Sequence, residues 1–382
     1  MELELTSDQE FFAETTRKYL EDKIPVQWLR QHRDDPDGFE RAYWSQGAEL
    51  GWTSLLVGEA DGGGSISERG LADLALVAFE FGRHAAPGPL LPSNVVAAAL
   101  SRWGTDDQKA GPLQGILSGE VVATWAAAEP RPNDRLGAVA LDAAPGEGGG
   151  FTLTGRKMPV EAGAQSDLFL VAARTAGGVT NLLVPADAPG LRITPMQGLD
   201  LSRRFAAVDF DGVAVPASAV VGRVDGAAAD NERLVDLAGA IQSAEVVGAM
   251  DRCLEITIEW SFNRYSFGRP LASYQELKHR FADMRAWLEA AHAISDTAVS
   301  LVHEESPLAA EHVSAAKSFL GVYGPELAQD CVQMHGGIGV TFEHDLHLYL
   351  RRIVVDARLY GTVGDHRRRI TSILEEREGT RV

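Results

Sequence analysis

Arg264-Tyr265-Ser266-Phe267-Gly268-Arg269-Pro270, followed closely by Gln275, interrupts two long helical patterns, and the reading of that interruption decides the fold. Before it, Leu234, Ala238, Ile241 and Gly248 share one helical face from about residue 230 onward. After it, apolar periodicity predicts long helices over 274–302, 308–334 and near 365–377. The second of these runs into Gln333-Met334-His335-Gly336-Gly337-Ile338-Gly339. Long helices with short connections predict a bundle.

Working back from the bundle, the texture changes. Between 120 and 222 the apolar residues come in short runs, among them Val121–Trp125, Leu168–Ala172, Asn181–Val184 and Ala206–Phe210, separated by Gly, Pro and Asp. That pattern predicts a β domain of short strands. Before Gly119 helical spacing returns. Thr6-Ser7-Asp8 offers N-cap chemistry ahead of Phe11, Phe12 and Tyr19, and further helices are predicted over 38–50, 67–84 and 93–103. Asp61-Gly62-Gly63-Gly64 and the prolines at 87, 89 and 92 punctuate the junctions. The expected domains are 1–118, 119–224 and 225–382. Helical, β, helical is not a Rossmann alternation, and no GxGxxG follows a strand, so the nicotinamide fingerprint is absent.

Composition narrows the function. The 382 residues suit two or three domains, and 45% apolar content fills a real core. A formal charge of −19 argues against nucleic acid and against an anionic membrane surface, because both need a basic patch. The two cysteines, Cys253 and Cys331, have no neighbour at metal or redox spacing, so no metal site is expected. The chain opens on acidic residues without a signal-type apolar run, and no stretch approaches the ~18 apolar residues of a membrane span. A soluble, cytoplasmic protein is expected.

Several motifs, in this order and spacing, resemble those of the acyl-CoA dehydrogenase family. Leu5-Thr6-Ser7-Asp8-Gln9 resembles its opening helix. Gly51-Trp52 with Glu59-Ala60-Asp61-Gly62-Gly63 resembles its "GW…PEE.GG" segment, and Ala128-Glu129-Pro130 its "TEP" loop. Gly155-Arg156-Lys157 resembles the "G.K" turn, and Val208-Asp209-Phe210 through Val215-Pro216 the end of the β domain. The Arg264 and Gln333 segments resemble "R..FG.P…Q" and "Q..GG.G". The resemblance implies an α+β multidomain fold with an N-terminal helical domain, a middle β-barrel-like domain and a C-terminal four-helix bundle. It implies FAD as cofactor, an acyl-CoA substrate and an electron-transfer flavoprotein as partner.

It also implies that Arg264, Phe267, Gln275, Gln333, Gly336 and Gly337 hold FAD across a subunit interface. The chemistry agrees. A pyrophosphate needs positive charge and close backbone N–H groups, which Arg264 and the glycines supply. Phe267 can pack on a ring, and the glutamines can bond polar edges.

The departures from the family pattern bear on catalysis. The family removes a substrate α-proton with a carboxylate while flavin N5 takes the β-hydride. The usual "YEG" glutamate falls on Gly361, and the alternative base position, counted back from Arg264, falls on Ala238. Neither side chain accepts a proton. The flavin-facing "W.T" pair is replaced by Pro159 and Glu161, and a carboxylate facing flavin N5 would repel the reduced anion. The "TEP" hydroxyl is Ala128, and its usual continuation reads Arg131-Pro132-Asn133-Asp134.

The remaining carboxylates fit the base role poorly. Glu232 and Glu245 lie almost two helical turns from the base position, about 11 Å, and Glu245 reads as an arginine's partner. Asp365 opens a helix start with a solvated basic face, and His335 and His366 read as surface or interface histidines.

The sequence-based expectation is therefore a non-catalytic partner chain. It resembles the degenerate subunit of bacterial α2β2 acyl-CoA dehydrogenases of steroid degradation, and it would help bind FAD in a paralogous catalytic subunit. The alternatives are an active homo-oligomer with a different base, Glu245 or Asp365 being the weak candidates, and a different flavin or binding protein on the same fold.

Overall fold

The computed structural model describes residues 5–130 and 136–379. Thr6 caps the first helix: its hydroxyl accepts from Gln9 N while the Gln9 side chain returns to Thr6 N, a closed capping box. The N-terminal helices are α1 (Ser7–Lys23), α2 (Val26–Gln31), α3 (Arg41–Glu49), α4 (Gly70–His84), α5 (Leu90–Trp103) and the short α6 (Asp106–Gln108) and α7 (Gln114–Leu117).

The middle region holds β1 (Ala123–Ala126), β2 (Asp142–Pro145), β3 (Phe151–Glu161), β4 (Leu168–Arg174), β5 (Val179–Pro185), β6 (Leu191–Met196), β7 (Phe205–Val215) and β8 (Val220–Val221). Their order is β6-β7-β3-β2-β4-β5-β8, with β1 added parallel to β4. The two ends do not meet, so the sheet is open and the barrel-like expectation is corrected. Closure depends on a fixed stagger of strand pairings, which run lengths do not reveal. The Glu129 carboxylate accepts from Ala140 N, Leu141 N and Lys157 Nζ (2.6 Å), tying the "TEP"-like loop to the "G.K"-like strand.

The C-terminal region is α8 (Ala228–Asn263), the hairpin β9 (Tyr265–Ser266) and β10 (Arg269–Pro270), α9 (Gln275–His303), α10 (Ala309–His335), α11 (Leu346–Asp356) and α12 (Val363–Gly379). α8 is the spine of the molecule. It crosses α4 backbone to backbone at a pair of glycines. A Cβ on Gly82 would lie 1.9 Å from Glu245 O, and one on Gly248 would lie 2.0 Å from Phe79 O. No other residue permits that approach, and it fixes where Glu245 stands. One core runs through the N-terminal helices and the bundle, and a second fills the inner face of the sheet. Among the described residues no helix is long and apolar enough to cross a membrane, and no cluster of three or more His, Cys, Asp or Glu is placed to hold a metal.

Candidate functional site

Two pairing irregularities interrupt the β3–β7 ladder, the second between Lys157 and Val160. Pro159, which has no N–H to give, sits in that bulge. A bulge re-aims the strand beyond it, and here it delivers Glu161 opposite Phe205, just after the turn that carries Arg203. That turn is pinned locally: Asp200 Oδ1 accepts from Ser202 N (2.9 Å).

From the other side α8 presents Gln242 and Glu245, neighbours at helical spacing. α11 presents Arg352 and Asp356, and α10 presents Lys317. The groups meet in the interior. Arg203 Nη1 bonds Asp356 Oδ1 (2.5 Å), and its Nη2 bonds Glu245 Oε2. Arg352 Nη1 reaches Glu245 Oε1 (2.5 Å), and its Nε reaches Asp200 Oδ2 (2.5 Å). Lys317 Nζ donates to Gln242 Oε1, Asp356 O (2.7 Å) and Leu359 O (3.0 Å). All these charged side chains are buried.

The charge does not balance. Glu161, Asp200, Glu245 and Asp356 face Arg203, Arg352 and Lys317, four carboxylates against three cations. The structure leaves a proton's worth of slack where the pairing is loosest. Glu161 Oε2 and Asp356 Oδ2 have no hydrogen-bond partner, and Arg203 Nε lies 3.3 Å from Glu161 Oε1 but is misaligned for a bond. Burial pushes the Asp356 carboxyl up to about 7 against the pull of Arg203, and burial likewise raises Glu161. Burial brings Lys317 down to about 8. Burial also works against ionisation of Asp200, but Arg352 and Arg203 overcome it and hold that carboxyl low.

The positions marked for the catalytic base border this cluster. Tyr360 stacks on Trp125, with ring centroids 5.7 Å apart and planes 6° from parallel. Burial, with Glu161 nearby, raises the Tyr360 phenol well above its ordinary value. Gly361 has φ 108°, and a Cβ there would sit 2.6 Å from His366 Nε2. His366 is locked in place, its Nε2 against Tyr360 O (3.1 Å) and its Nδ1 against Ser314 Oγ (3.2 Å). Ala238 is fully buried. A void of about 10 Å³ beside Gln242, Lys317 and Asp356 is roughly the size of one water, whereas a drug-sized ligand needs ~300–1,000 Å³.

The structure corrects three expectations. Glu161 does not face an open flavin cleft; it is buried against Arg203 because the bulge turns it inward. His335 and His366 are buried, not surface residues. Asp365 caps α12 through Thr362 N (3.0 Å) and pairs with Arg368; only part of the basic run beyond it is solvated, since Arg369 is drawn down to Asp236. Glu245 stands as an arginine's partner, and Glu232 is exposed. Arg131-Pro132-Asn133-Asp134 lies outside the described residues.

The expected FAD-holding residues form a separate, open group at the far end of α8, ~39 Å from Ala238 at about 1.5 Å per residue. Phe267 (φ 49°) and Gly268 (φ 82°) make the two-residue turn of the β9–β10 hairpin. Phe267 is 96% exposed. Trp260 joins the two signature segments: Arg264 lies 5.9 Å over its ring, and His335 stacks on it at 5.2 Å. His335 leads into Gly336 (φ 65°), and a Cβ on Gly336 or Gly337 would meet nothing within 4 Å. Gln275 and Gln333 are exposed. Phe262, Tyr265, Val340 and Phe342 add large exposed apolar side chains to the same segments.

Sequence reasoning missed Arg203, Arg352, Asp356 and Lys317. One signal was available. Arg352 and Asp356 share a helical face with Leu348 and Tyr349, where a charge needs a buried partner.

Comparison with known proteins accords with this geometry. The acyl-CoA dehydrogenase N-terminal, middle and C-terminal domain models match residues 6–120, 124–213 and 227–374. The acyl-CoA dehydrogenase FadE27 of Mycobacterium tuberculosis is 30% identical over 341 residues, 86% of this chain and 87% of that protein. The ChsE4–ChsE5 complex from Mycobacterium tuberculosis superposes with a TM-score of 0.88 at 26% identity, covering 98% of this chain and 99% of the other. A variant of the Tcur3481–Tcur3483 steroid ACAD gives 0.87 at 26% identity, covering 97% and 98%.

Proposed function

The chain belongs to the acyl-CoA dehydrogenase family, and from that premise we propose that it is the non-catalytic subunit of a two-chain complex whose catalytic partner is a paralogue. The family's cofactor is FAD. In this reading the chain does not hold a flavin ring of its own. It grips the FAD seated in its partner.

The observation that carries the reading is the buried ion cluster beside the family's base and flavin-facing positions. Where the family pattern places a base and a flavin-facing pair, this chain has a sealed group of ion pairs, a Tyr360–Trp125 stack and a Gly361 pressed against His366. The exposed end supports the other half of the reading. Arg264 supplies positive charge, Gly336 and Gly337 supply approachable backbone, and Phe267 supplies a free ring. Two relatives named as two-chain assemblies, one of them a steroid ACAD, support a paralogous partner and a steroid-derived acyl-CoA as the complex's substrate.

Expression of the chain with and without a neighbouring dehydrogenase-like gene tests the reading. The expected result is a colourless protein alone and flavin absorbance only in the co-purified pair. Stoichiometric flavin in the chain purified by itself would overturn it.

A further inference from the structure

Gln242 and Glu245 on α8 enter the ion cluster, while Arg233, Leu234 and Leu237, nearer the start of that helix, border a different space. A cleft of about 890 Å³ opens there between the N-terminal helices and the first turns of the bundle. Its size is within the range of small-molecule sites, ~300–1,000 Å³. Leu55, Val57, Leu71, Trp103, Leu234 and Leu237 supply apolar walls.

Two arginines stand in the lining. Arg102 from the end of α5 and Arg233 from α8 converge on one carboxylate, Glu305, in the loop between α9 and α10. Arg102 Nη2 lies 3.0 Å and Arg233 Nη1 2.9 Å from Glu305 Oε2. The three side chains are 45%, 53% and 52% exposed, and bridges so open to water contribute little. Glu305 sits on a left-handed backbone position, φ 49°. Hydrogen bonds from Arg102 and Arg233 hold its carboxyl down to about 2, so it is an anion at any ordinary pH.

We propose that this cleft binds an amphipathic monocarboxylate, with its apolar body on the Leu71–Trp103–Leu234 walls and its head between Arg102 and Arg233 in place of Glu305. A pair of guanidiniums converging beside an apolar cleft is a carboxylate receptor, and Glu305 is the carboxylate the chain itself supplies. Displacing it sacrifices only a solvent-exposed bridge. Glu59, Glu68 and Asp236 also line the cleft and disfavour a polyanion, and Asp236 is already paired with Arg369. The site stands apart from the buried ion cluster, so the proposal holds whether or not the chain carries a flavin of its own.

The test uses the full chain, or its complex where one co-purifies, titrated with dodecanoate, with cholate and with uncharged dodecanol. Binding is read from Trp fluorescence, with Trp103→Phe to identify the reporting ring, and from the rise in Tm that a bound ligand produces. Saturable binding of at least one carboxylate is expected. Preference for dodecanoate or cholate then tells whether the body is a chain or fused rings. Arg233→Ala weakens binding about tenfold or more, as loss of a charge-assisted hydrogen bond does, and Glu305→Gln tightens it about tenfold. Both residues are half exposed, and unchanged circular dichroism shows that the variants fold. No saturation by either carboxylate, equal binding of dodecanol, or unchanged affinity in both variants would overturn the proposal.

Discussion

The two ends of one helix present opposite chemistry. Midway along α8, Gln242 and Glu245 belong to an interior in which every charge is buried and the void beside Gln242 is about 10 Å³. At its C-terminus Arg264, Phe267 and the facing glycines of the α10 end stand open, beside several exposed apolar side chains. Buried ion pairs are costly to assemble and are specific in geometry. Exposed apolar patches are costly to leave uncovered. The first region is therefore closed within the chain, and the second is open to further contact. The comparison teaches that the missing glutamate is only part of the story. The centre of the chain is built of buried ion pairs, and its rim stands exposed.

The largest effect is expected where the interior is broken. Arg203→Ala leaves Glu161, Glu245 and Asp356 without their shared cation, and loss of one partner from a buried pair costs ~3–5 kcal/mol. Urea unfolding measures it, and a loss under about 1 kcal/mol would mean that the cluster is not a structural core. Next is Gly361→Glu. It restores the family's usual base in sequence but forces a side chain onto φ 108° and into His366. We expect a stability loss of roughly 2–3 kcal/mol and no dehydrogenase activity from the isolated chain. Turnover in that variant would show that the reaction centre is less sealed than its geometry.

At the other end, Arg264→Ala should leave the unfolding midpoint within about 0.5 kcal/mol of the parent and lower flavin retention in the co-purified complex. Full flavin content in that variant would remove the cross-chain grip. The last test is a pH slope. Asp356 carries its proton up to about pH 7 in the folded chain and to about 3.8 as an ordinary carboxyl. Between those values the folded state binds more protons, so this group's contribution to stability is lost as pH rises toward 7. Burial, with Lys317 nearby, depresses His366 to about 3, and that group works in the opposite sense below its ordinary 6.5. The informative quantity is thus the difference in urea midpoint between pH 5 and pH 8, compared in the parent and in Asp356→Asn. The parent should lose more stability on going up in pH, and equal changes would remove Asp356 as the titrating group.

Much of this comparison was legible from local pattern. The long bundle helices, the short strands and the Thr6 cap each rest on residues a few positions apart, where spacing and capping chemistry speak directly. The Arg264 and Gln333 segments stood out because an arginine, an aromatic residue and clustered glycines occur together. The interior did not stand out. Arg203 meets Asp356 and Arg352 meets Glu245 across distant parts of the chain, and no local periodicity encodes such a meeting. The burial of His366 was hidden for the same reason, since it depends on Ser314 and Tyr360 arriving around it.

The glycine at position 361 also has a bearing on reversibility. Where a catalytic residue is lost and nothing else moves, one substitution recovers it. Here a glutamate at 361 would displace the His366 ring and add another carboxyl group beside an interior that already holds four carboxyls to three basic groups. Recovery would require at least the His366 ring to move as well. The packing around position 361 thus sets a cost on any side chain placed there, beyond the absence of the carboxylate itself.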